Sequence, residues 1–217
     1  MPSSVLKSIT QRSDAMRLTD RPKDVLEYDG IELRLNLAFD TVLRSFELIR
    51  DEDFTEREKL EIHLEMLIEN YQDAATLPLK DKVQIRDHIF LNFINDPDSK
   101  TGKEGKKTFD IDQDAEYVYA SFLFDYGIDL FEQQGKLHWK KFKALLGGLS
   151  KEAKLSQVIG YRTCEIPKQT KHNKEYVKHL KEMKRVYALD KTPETVEELD
   201  RRMDVVADKI KGSSTRK

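Results

Sequence analysis

The chain has 217 residues and a formal net charge of -2, with 38% hydrophobic and 36% charged residues. This balance is typical of a globular protein with wide polar helix faces, and it argues against global disorder. No apolar run approaches the roughly 18 residues of a membrane helix, the first residues lack an apolar signal core, and the single cysteine, Cys164, excludes an intrachain disulfide. We therefore expect a cytoplasmic protein with no membrane partner.

The N-terminal part predicts an arm followed by a hairpin. Residues 1–22 are polar and are predicted to form a flexible arm. In the stretch VLEYDGIELRL that follows, apolar and charged residues alternate on both sides of Asp29 and Gly30. Asp-Gly between alternating runs is a strong hairpin signal, because the tight turn needs two positive φ angles. A lone hairpin is marginally stable, so we expect it to pack on helices.

Apolar residues at helical spacing predict three helices after the hairpin, over 39–49, 60–71 and 83–94. Thr55 and Glu58 have the spacing of a capping box and therefore mark the start of the middle helix. The composition of residues 95–108 then predicts a loop, which is longer than most connections within a domain.

Two further helices are predicted from their terminal glycines. The first ends near Gly127 and the second at Gly147 and Gly148, because glycine readily adopts the left-handed conformation that ends many helices. A short helix follows and ends before Pro167, which cannot continue a helix.

The end of the chain is basic. Residues 167–217 carry a net charge of +5, whereas residues 1–166 carry -7. Two amphipathic helices, over 168–189 and 193–210, are predicted to form a helical hairpin. Lysines follow one strip of the first helix, at Lys171, Lys174, Lys178 and Lys181. Such a strip is most often a solvated face, and the alternative is a surface that attracts an acidic partner.

Three motifs resemble phosphate-, calcium- or zinc-binding sites, but their residue spacing does not match the spacing that those sites need. GKEGKKT at 102–108 has two residues between its glycines, whereas a phosphate-binding loop needs four. DIDQDAE at 110–116 resembles a calcium loop, but Ala115 and Ser121 occupy the positions that need Gly and Glu, so Asp112 or Asp114 capping the next helix is preferred. The histidines and Cys164 lack zinc spacing. We expect no catalytic residue, cofactor, metal or nucleic acid.

The stretch EYVYASFLFDYGIDL contains five of the chain's 19 aromatic residues between Tyr117 and Tyr126. On a helix over 115–126, Tyr117 and Phe124 fall outside the main apolar stripe, which includes Leu123. Two interpretations stay open: a central helix buried on both faces, which is the commoner fate, or a second face that binds a partner. The candidate protein-binding residues are Tyr117, Phe124, Trp139, Lys174, Lys178 and Lys181.

Several segments carry a family resemblance. They are FDTVLRSFELIRD at 39–51, DIDQDAEYVYASFLFDYGIDLFEQQGKLHWKKFKALLGGL at 110–149, IGYRTCEIPK at 159–168 and the hairpin VLEYDGIEL. Together they resemble the phage gene-product-fifteen family of tailed phages and prophages of Gram-positive bacteria, over residues 24–185.

The resemblance implies a function in phage tail assembly. Members of that family are encoded just before the tape-measure protein, which implies a tail assembly chaperone in the bacterial host cytoplasm. The implied partner is the tape-measure protein, with the tail-tube protein or a second tail assembly chaperone as further partners, and a homo-oligomer is also open. The family supplies no catalytic residues to transfer. Two alternatives remain: a structural tail component retained in the virion and, less favoured, a nucleic-acid-binding regulator.

The sequence therefore predicts a mainly α protein, a multi-helix bundle with one small N-terminal β-hairpin and a C-terminal helical hairpin. Its predicted parts are the flexible arm 1–22, a helical core domain with the hairpin at 23–166, and a basic C-terminal helical extension at 167–217.

Overall fold

The computed structural model describes residues 9–11, 24–94 and 108–189. These residues are mainly helical with a small antiparallel sheet, which confirms the predicted fold class. They divide into two compact units, the first with the described residues up to 94 and residues 115–156, and the second with residues 108–114 and 157–189. The domain boundaries given above stay predictions. The predicted loop before Thr108 and the predicted helix over 193–210 lie outside the described residues.

The first unit begins with a three-stranded antiparallel sheet. Its strands are β1 (Ile9–Gln11), β2 (Val25–Tyr28) and β3 (Ile31–Arg34), in that order. β2 and β3 form the predicted hairpin, and Asp29 and Gly30 at its turn have φ angles of 52° and 80°. β1 pairs with β2 and lies within the segment predicted as an arm, the rest of which is outside the described residues.

The hairpin is fixed to the helices through one buried face. Leu26, Tyr28 and Leu33 are fully buried, as the alternation of apolar and charged residues predicts. Asn70 clamps the edge of β3, because its Nδ2 donates to the Glu32 carbonyl at 2.7 Å and its Oδ1 accepts from the Arg34 amide at 2.8 Å. The hairpin thus gains the packing that it lacks in isolation.

Seven α-helices follow among the described residues. They are α1 (Phe39–Arg50), α2 (Glu56–Leu67), α3 (Leu79–Ile89), α4 (Ala115–Tyr126), α5 (Trp139–Gly147), α6 (Lys154–Thr163) and α7 (Lys174–Val186). A 3-10 turn at Tyr71–Asp73 lies between α2 and α3, and a π-helical turn at Phe90–Ile94 directly extends α3.

Local signals in the sequence correctly place the helix ends. The capping box of α2 is present, since the Thr55 hydroxyl accepts from the Glu58 amide at 3.3 Å and Glu58 accepts from the Thr55 amide at 2.8 Å. Gly127, with a φ of 63°, follows the last residue of α4, and Gly148 caps α5. These ends depend on contacts within a few residues, which a sequence displays directly.

A stack of aromatic rings holds the helices of the first unit together. Phe142 of α5 is 1% exposed and stacks on Phe39 of α1, Phe122 of α4 and its neighbour Trp139, with ring centroids 5.0, 5.2 and 5.6 Å apart. Trp139 and Phe46 of α1 are arranged edge to face, with ring centroids 5.9 Å apart. Large buried rings contribute much contact area and some stacking energy, so this cluster fixes three helices that are distant in sequence.

The buried face of α1 differs from the predicted stripe. Ile49, the last residue of that stripe, is 48% exposed, and Ser45 is fully buried. The Ser45 hydroxyl donates to the Val42 carbonyl at 2.7 Å, and the Ser45 carbonyl accepts from His63 at 2.8 Å. A buried serine is tolerated where its polar groups have partners, and a stripe built from apolar residues alone cannot show this.

A polar cluster joins α2 and α3 through Glu61, Tyr71 and Lys82. The Lys82 ammonium donates to both carboxylate oxygens of Glu61, at 2.9 and 2.8 Å, and the Tyr71 hydroxyl donates to the same carboxylate. The hydrogen bonds from Lys82 and then from Tyr71 lower the pKa of Glu61 below its ordinary value. The charged form of Glu61 is therefore favoured in the folded protein.

Arg162 of α6 organises the second unit. Its Nη1 and Nη2 donate to the two carboxylate oxygens of Asp114 at 2.6 and 2.7 Å, and its Nε donates to the Tyr187 carbonyl at 2.5 Å. The Asp114 side chain is 1% exposed. Asp114 was expected to cap the next helix, but its carboxylate meets a guanidinium, whose planar fork suits a buried carboxylate. In the same unit, Lys184 donates to the Cys164 carbonyl at 2.6 Å.

Replacement of Phe142, the central ring of the stack, should strongly destabilise the protein. We expect Phe142→Ala to lower the free energy of unfolding by about 3–5 kcal/mol, because it removes a buried ring and leaves a cavity among three stacked neighbours. Leu91→Ala is the control, since Leu91 is 61% exposed and its truncation should change stability by less than about 0.5 kcal/mol. Chemical denaturation of both variants measures the difference, and a small loss for Phe142→Ala would contradict the assigned core.

The polar cluster predicts a pH-dependent effect. We expect Glu61→Gln to cost about 1 kcal/mol at pH 7, a modest value because the Glu61 side chain is 36% exposed and solvent screens the pair. Because folding lowers the pKa of Glu61, its contribution is complete above the ordinary value of 4.5 and is lost as the pH falls through the folded value.

The measurement is denaturant unfolding of wild type and Glu61→Gln between pH 7 and pH 3. The difference between them should shrink as the solution becomes acidic. Glu65→Gln, at an exposed position one turn further along α2, should match wild type throughout. A Glu61→Gln deficit that is constant with pH would show that the carboxylate charge is not what stabilises the cluster.

Candidate protein-binding surface

The aromatic residues of α4 divide between the core and the surface of the first unit. Phe122 is fully buried, whereas Phe124, two residues later, is 69% exposed. Ser121 takes part of the buried face, because its hydroxyl donates to the Tyr117 carbonyl at 2.6 Å and accepts from the Leu155 amide at 2.9 Å. The helix is therefore not enclosed on all sides, and one apolar side remains open to solvent.

Three apolar side chains form what we call the α4 surface: Leu123, Phe124 and Phe131. Their exposed fractions are 46%, 69% and 71%. Tyr119 connects Leu123 and Phe131, because it lies one helical turn before Leu123 and its ring centroid is 5.2 Å from that of Phe131, and Phe124 directly follows Leu123 in the chain. Single exposed apolar residues are ordinary, whereas neighbouring ones are typical of contact sites.

The loop after α4 holds Phe131 in place. The Asp129 carboxylate accepts from the Phe131 amide at 2.9 Å and from the Tyr119 hydroxyl at 3.2 Å. Further along the loop, the Gly135 amide donates to Asp40 of α1 at 2.8 Å. The exposed ring thus stands on a loop that is tied both to α4 and to α1, which lowers the entropy lost when a partner covers it.

The Tyr119 hydroxyl remains a hydrogen-bond donor at neutral pH. Partial burial and the nearby Asp129 carboxylate both raise the pKa of Tyr119 above its ordinary value of 10. The contact between α4 and its loop therefore does not depend on pH in the neutral range, and neither should the presentation of Phe131.

The other aromatic candidates are less accessible than Phe124. Tyr117 is half-buried, and the Lys154 ammonium lies 5.7 Å from its ring centroid. Trp139 is 8% exposed, and its Nε1 donates to the Ile94 carbonyl at 2.9 Å, so it is part of the core in this structure. The indole satisfies its N–H internally, which makes burial of a Trp favourable.

Sequence reasoning missed two members of the α4 surface. Leu123 was placed on the buried stripe, but it is 46% exposed. The buried side of the helix includes Ser121 instead of Leu123. Phe131 belongs to the polar stretch FEQQ after the helix. The available signal was that a lone phenylalanine in a polar loop has few neighbours to bury it.

The lysine candidates lie on α7 in the second unit. Lys174, Lys178 and Lys181 are exposed, and none of them makes an ion pair with another described residue. Val177 and Leu180 are the buried residues of this helix. Tyr176, next to Val177, is 58% exposed. The strip is a solvated basic face, and it stays a candidate for an acidic partner.

The described residues contain no group of three or more His, Cys, Asp or Glu side chains that could hold a metal ion. None of their helices has both the length and the apolar character required to cross a bilayer.

Comparison with known proteins identifies the family. The family model for bacteriophage Gp15 protein matches residues 18–189. The chain belongs to the bacteriophage Gp15 protein family. The searches of curated proteins and of solved structures found no match. The match includes the hairpin and all seven described helices, so the resemblance read from the sequence is confirmed and this Gp15-family chain is a phage protein.

The α4 surface and the core of this Gp15-family protein should respond differently to truncation. We expect Phe124→Ala to change the free energy of unfolding by less than about 0.5 kcal/mol, because solvent already reaches most of the ring. Phe122→Ala, on the same helix, should cost about 3–5 kcal/mol. Thermal and denaturant unfolding of the pair compares them directly, and equal losses would mean that both rings belong to the core.

Proposed function

We propose that this phage protein is a tail assembly chaperone that acts in the cytoplasm of the bacterial host. It transiently binds the tape-measure protein through the α4 surface and releases it as the tail forms, and it acts by binding, without catalysis. The observation that supports this proposal is the exposure of Phe124 and Phe131, at 69% and 71%, on a unit whose other large rings are mostly packed.

The chemistry of the α4 surface suits a helical partner. A tape-measure chain is long and helical, and its apolar stripes stay exposed until the tail tube surrounds it. Exposed stripes of this kind favour aggregation, and an apolar surface on a second protein can cover them by helix-in-groove contact. Aromatic side chains are effective at such contacts because they bring large area with few rotatable bonds.

The size of the surface is consistent with reversible binding. It contains three large apolar side chains, fewer than the 20–30 residues that each partner contributes to a standard stable interface. A chaperone must let its client go, so a small contact with moderate affinity is an advantage. The exposed lysines of α7 add a separate attraction toward acidic segments, which salt screens beyond about 8–10 Å.

Co-expression with the tape-measure protein of the same phage tests the proposal. Affinity purification of the tagged chain should recover the tape-measure protein. The double variant Phe124→Ser with Phe131→Ser should lose at least about tenfold of this capture, since it removes both exposed rings from the contact.

The matched control is Phe54→Ser with Leu91→Ser, because these side chains are 40% and 61% exposed elsewhere on the first unit. Its capture should equal that of wild type. Equal capture by all three proteins would contradict the α4 surface as the contact, and no capture by wild type would contradict the partner. Mass spectrometry of purified particles separates the alternatives, because a chaperone is absent from the virion and a structural tail component is present.

A further inference from the structure

A pocket of about 290 Å³ opens on the first unit at a position that the tail-assembly proposal does not use. Its walls come from α1, α2, α3 and the π-helical turn after α3. The lining residues are Ile49, Glu56, Lys59, His63, Arg86 and Phe90. Ile49 and Phe90 make part of the wall apolar, and the other four residues carry charge or can titrate.

His63 is the unusual member of this lining. It is 2% exposed, and its Nε2 is 2.8 Å from the Ser45 carbonyl oxygen. A carbonyl oxygen can only accept, so Nε2 carries the proton and Nδ1 of the neutral ring is an unprotonated acceptor. This buried Nδ1 has no hydrogen-bond partner. Buried polar atoms are nearly always paired, so an unpaired acceptor on a residue of a pocket wall is a candidate partner for a ligand or a water molecule.

The two cations of the pocket, Lys59 and Arg86, are less exposed to solvent than the carboxylates that they pair with. The Lys59 side chain is 11% exposed, donates to the Ile49 carbonyl at 3.0 Å and lies 3.3 Å from Glu56, whose side chain is 87% exposed. The Arg86 side chain is 28% exposed, and its Nε and Nη2 donate to Asp87, which is 60% exposed. Glu56 and Asp87 are the more exposed partners, so water screens their charges more strongly than those of Lys59 and Arg86.

The neutral state of His63 follows from the same surroundings. Burial lowers the pKa of His63, and the charges of Arg86 and Lys59 lower it further, while the Ser45 carbonyl and Glu56 act in the opposite direction. Among the residues that line the pocket in the described part of the chain, Glu56, Lys59 and Arg86 are the ones that carry charge. An anion in the pocket would reverse the balance and favour a proton on Nδ1.

We propose that this pocket binds a carboxylate group carried on an apolar stem. The carboxylate pairs with Lys59 and Arg86, the stem lies against Ile49 and Phe90, and Nδ1 of His63 takes one proton from water and donates it in a hydrogen bond to the carboxylate. Two sources share this chemistry, an acidic side chain of a polypeptide and a small free acid. The proposal is independent of the α4 surface.

Histidine NMR of the full chain tests this directly, because the five histidines report separately. The probe is 3-methylbutanoate at up to about 50 mM, well above the millimolar Kd of a weak ligand. We expect the pKa of His63 to rise by roughly one unit, with Nδ1 as the site of protonation. Since binding takes up one proton, affinity should fall as the pH rises from the pKa of free His63 to that of the bound state, by about tenfold in all for a difference of one unit, and should then stay constant.

Two internal controls are present. His88 also has a buried ring nitrogen without a partner, Nε2, but it does not line the pocket, so its pKa should not respond to the acid. The neutral isostere 3-methylbutanamide should move neither histidine. No response of His63 to 3-methylbutanoate, or an equal response of both histidines, would overturn the proposal.

Substitutions test which cations hold the carboxylate. Lys59→Gln with Arg86→Gln should weaken binding at least about tenfold. Arg57→Gln with Lys80→Gln makes the same charge change at exposed positions of the same two helices and should bind like wild type. Unchanged histidine spectra of the ligand-free variants verify folding, and equal binding by both double variants would overturn the assignment of Lys59 and Arg86.

A blocked peptide with one glutamate among leucines distinguishes the two sources. If its affinity exceeds that of 3-methylbutanoate by tenfold or more and the pKa of His63 rises in the same way, the ligand is a polypeptide side chain. If the free acid binds as tightly as the peptide, the ligand is a small acid. Peptide binding that leaves His63 unchanged would contradict the pocket as the contact.

Discussion

The packing of Phe142 is the constraint on which the rest of the first unit depends. One ring receives Phe39, Phe122 and Trp139 as neighbours at 5.0–5.6 Å, and these come from α1, α4 and the start of α5. Local chain geometry does not hold α1 to α5, since Phe39 and Phe142 are separated by nearly half of the chain. The stack supplies the long-range contacts that turn amphipathic segments into one core.

This constraint also explains why α4 is apolar and yet exposed. A helix that directs Phe122 into the stack places Phe124 about 200° away around its axis, beyond the reach of the same core. The aromatic residues of α4 therefore lie on two faces of the helix, one buried in the core and the other exposed to solvent.

Much of the fold was predictable because its signals are local. The Asp29–Gly30 turn, the Thr55–Glu58 capping box and the glycines after α4 and α5 each depend on a few neighbouring residues. The buried faces were harder, since Ser45 and Ser121 are polar residues whose hydrogen-bond partners make burial acceptable. Aromatic content alone could not separate the buried Trp139 from the exposed Phe124, because both are large and only tertiary packing decides their fate. The pocket could not be predicted from the sequence for the same reason, because tertiary packing alone brings its lining residues together.

One run of ring contacts leads from the buried face of α4 to the pocket wall, and the two proposed sites are chemically distinct. From Phe122 at α4, the run passes through Phe142, Trp139, Phe46 and Phe90 and ends at His63 in the pocket wall. Rings packed this closely have little freedom to rearrange. Binding at one site therefore has no alternative arrangement of the rings through which it could change the affinity of the other site. The affinity of an apolar surface depends on the area that it buries, whereas the affinity of a charged pocket depends on pH and salt. A partner that bound both sites would therefore show both dependences, and substitutions at one site could remove one dependence without the other.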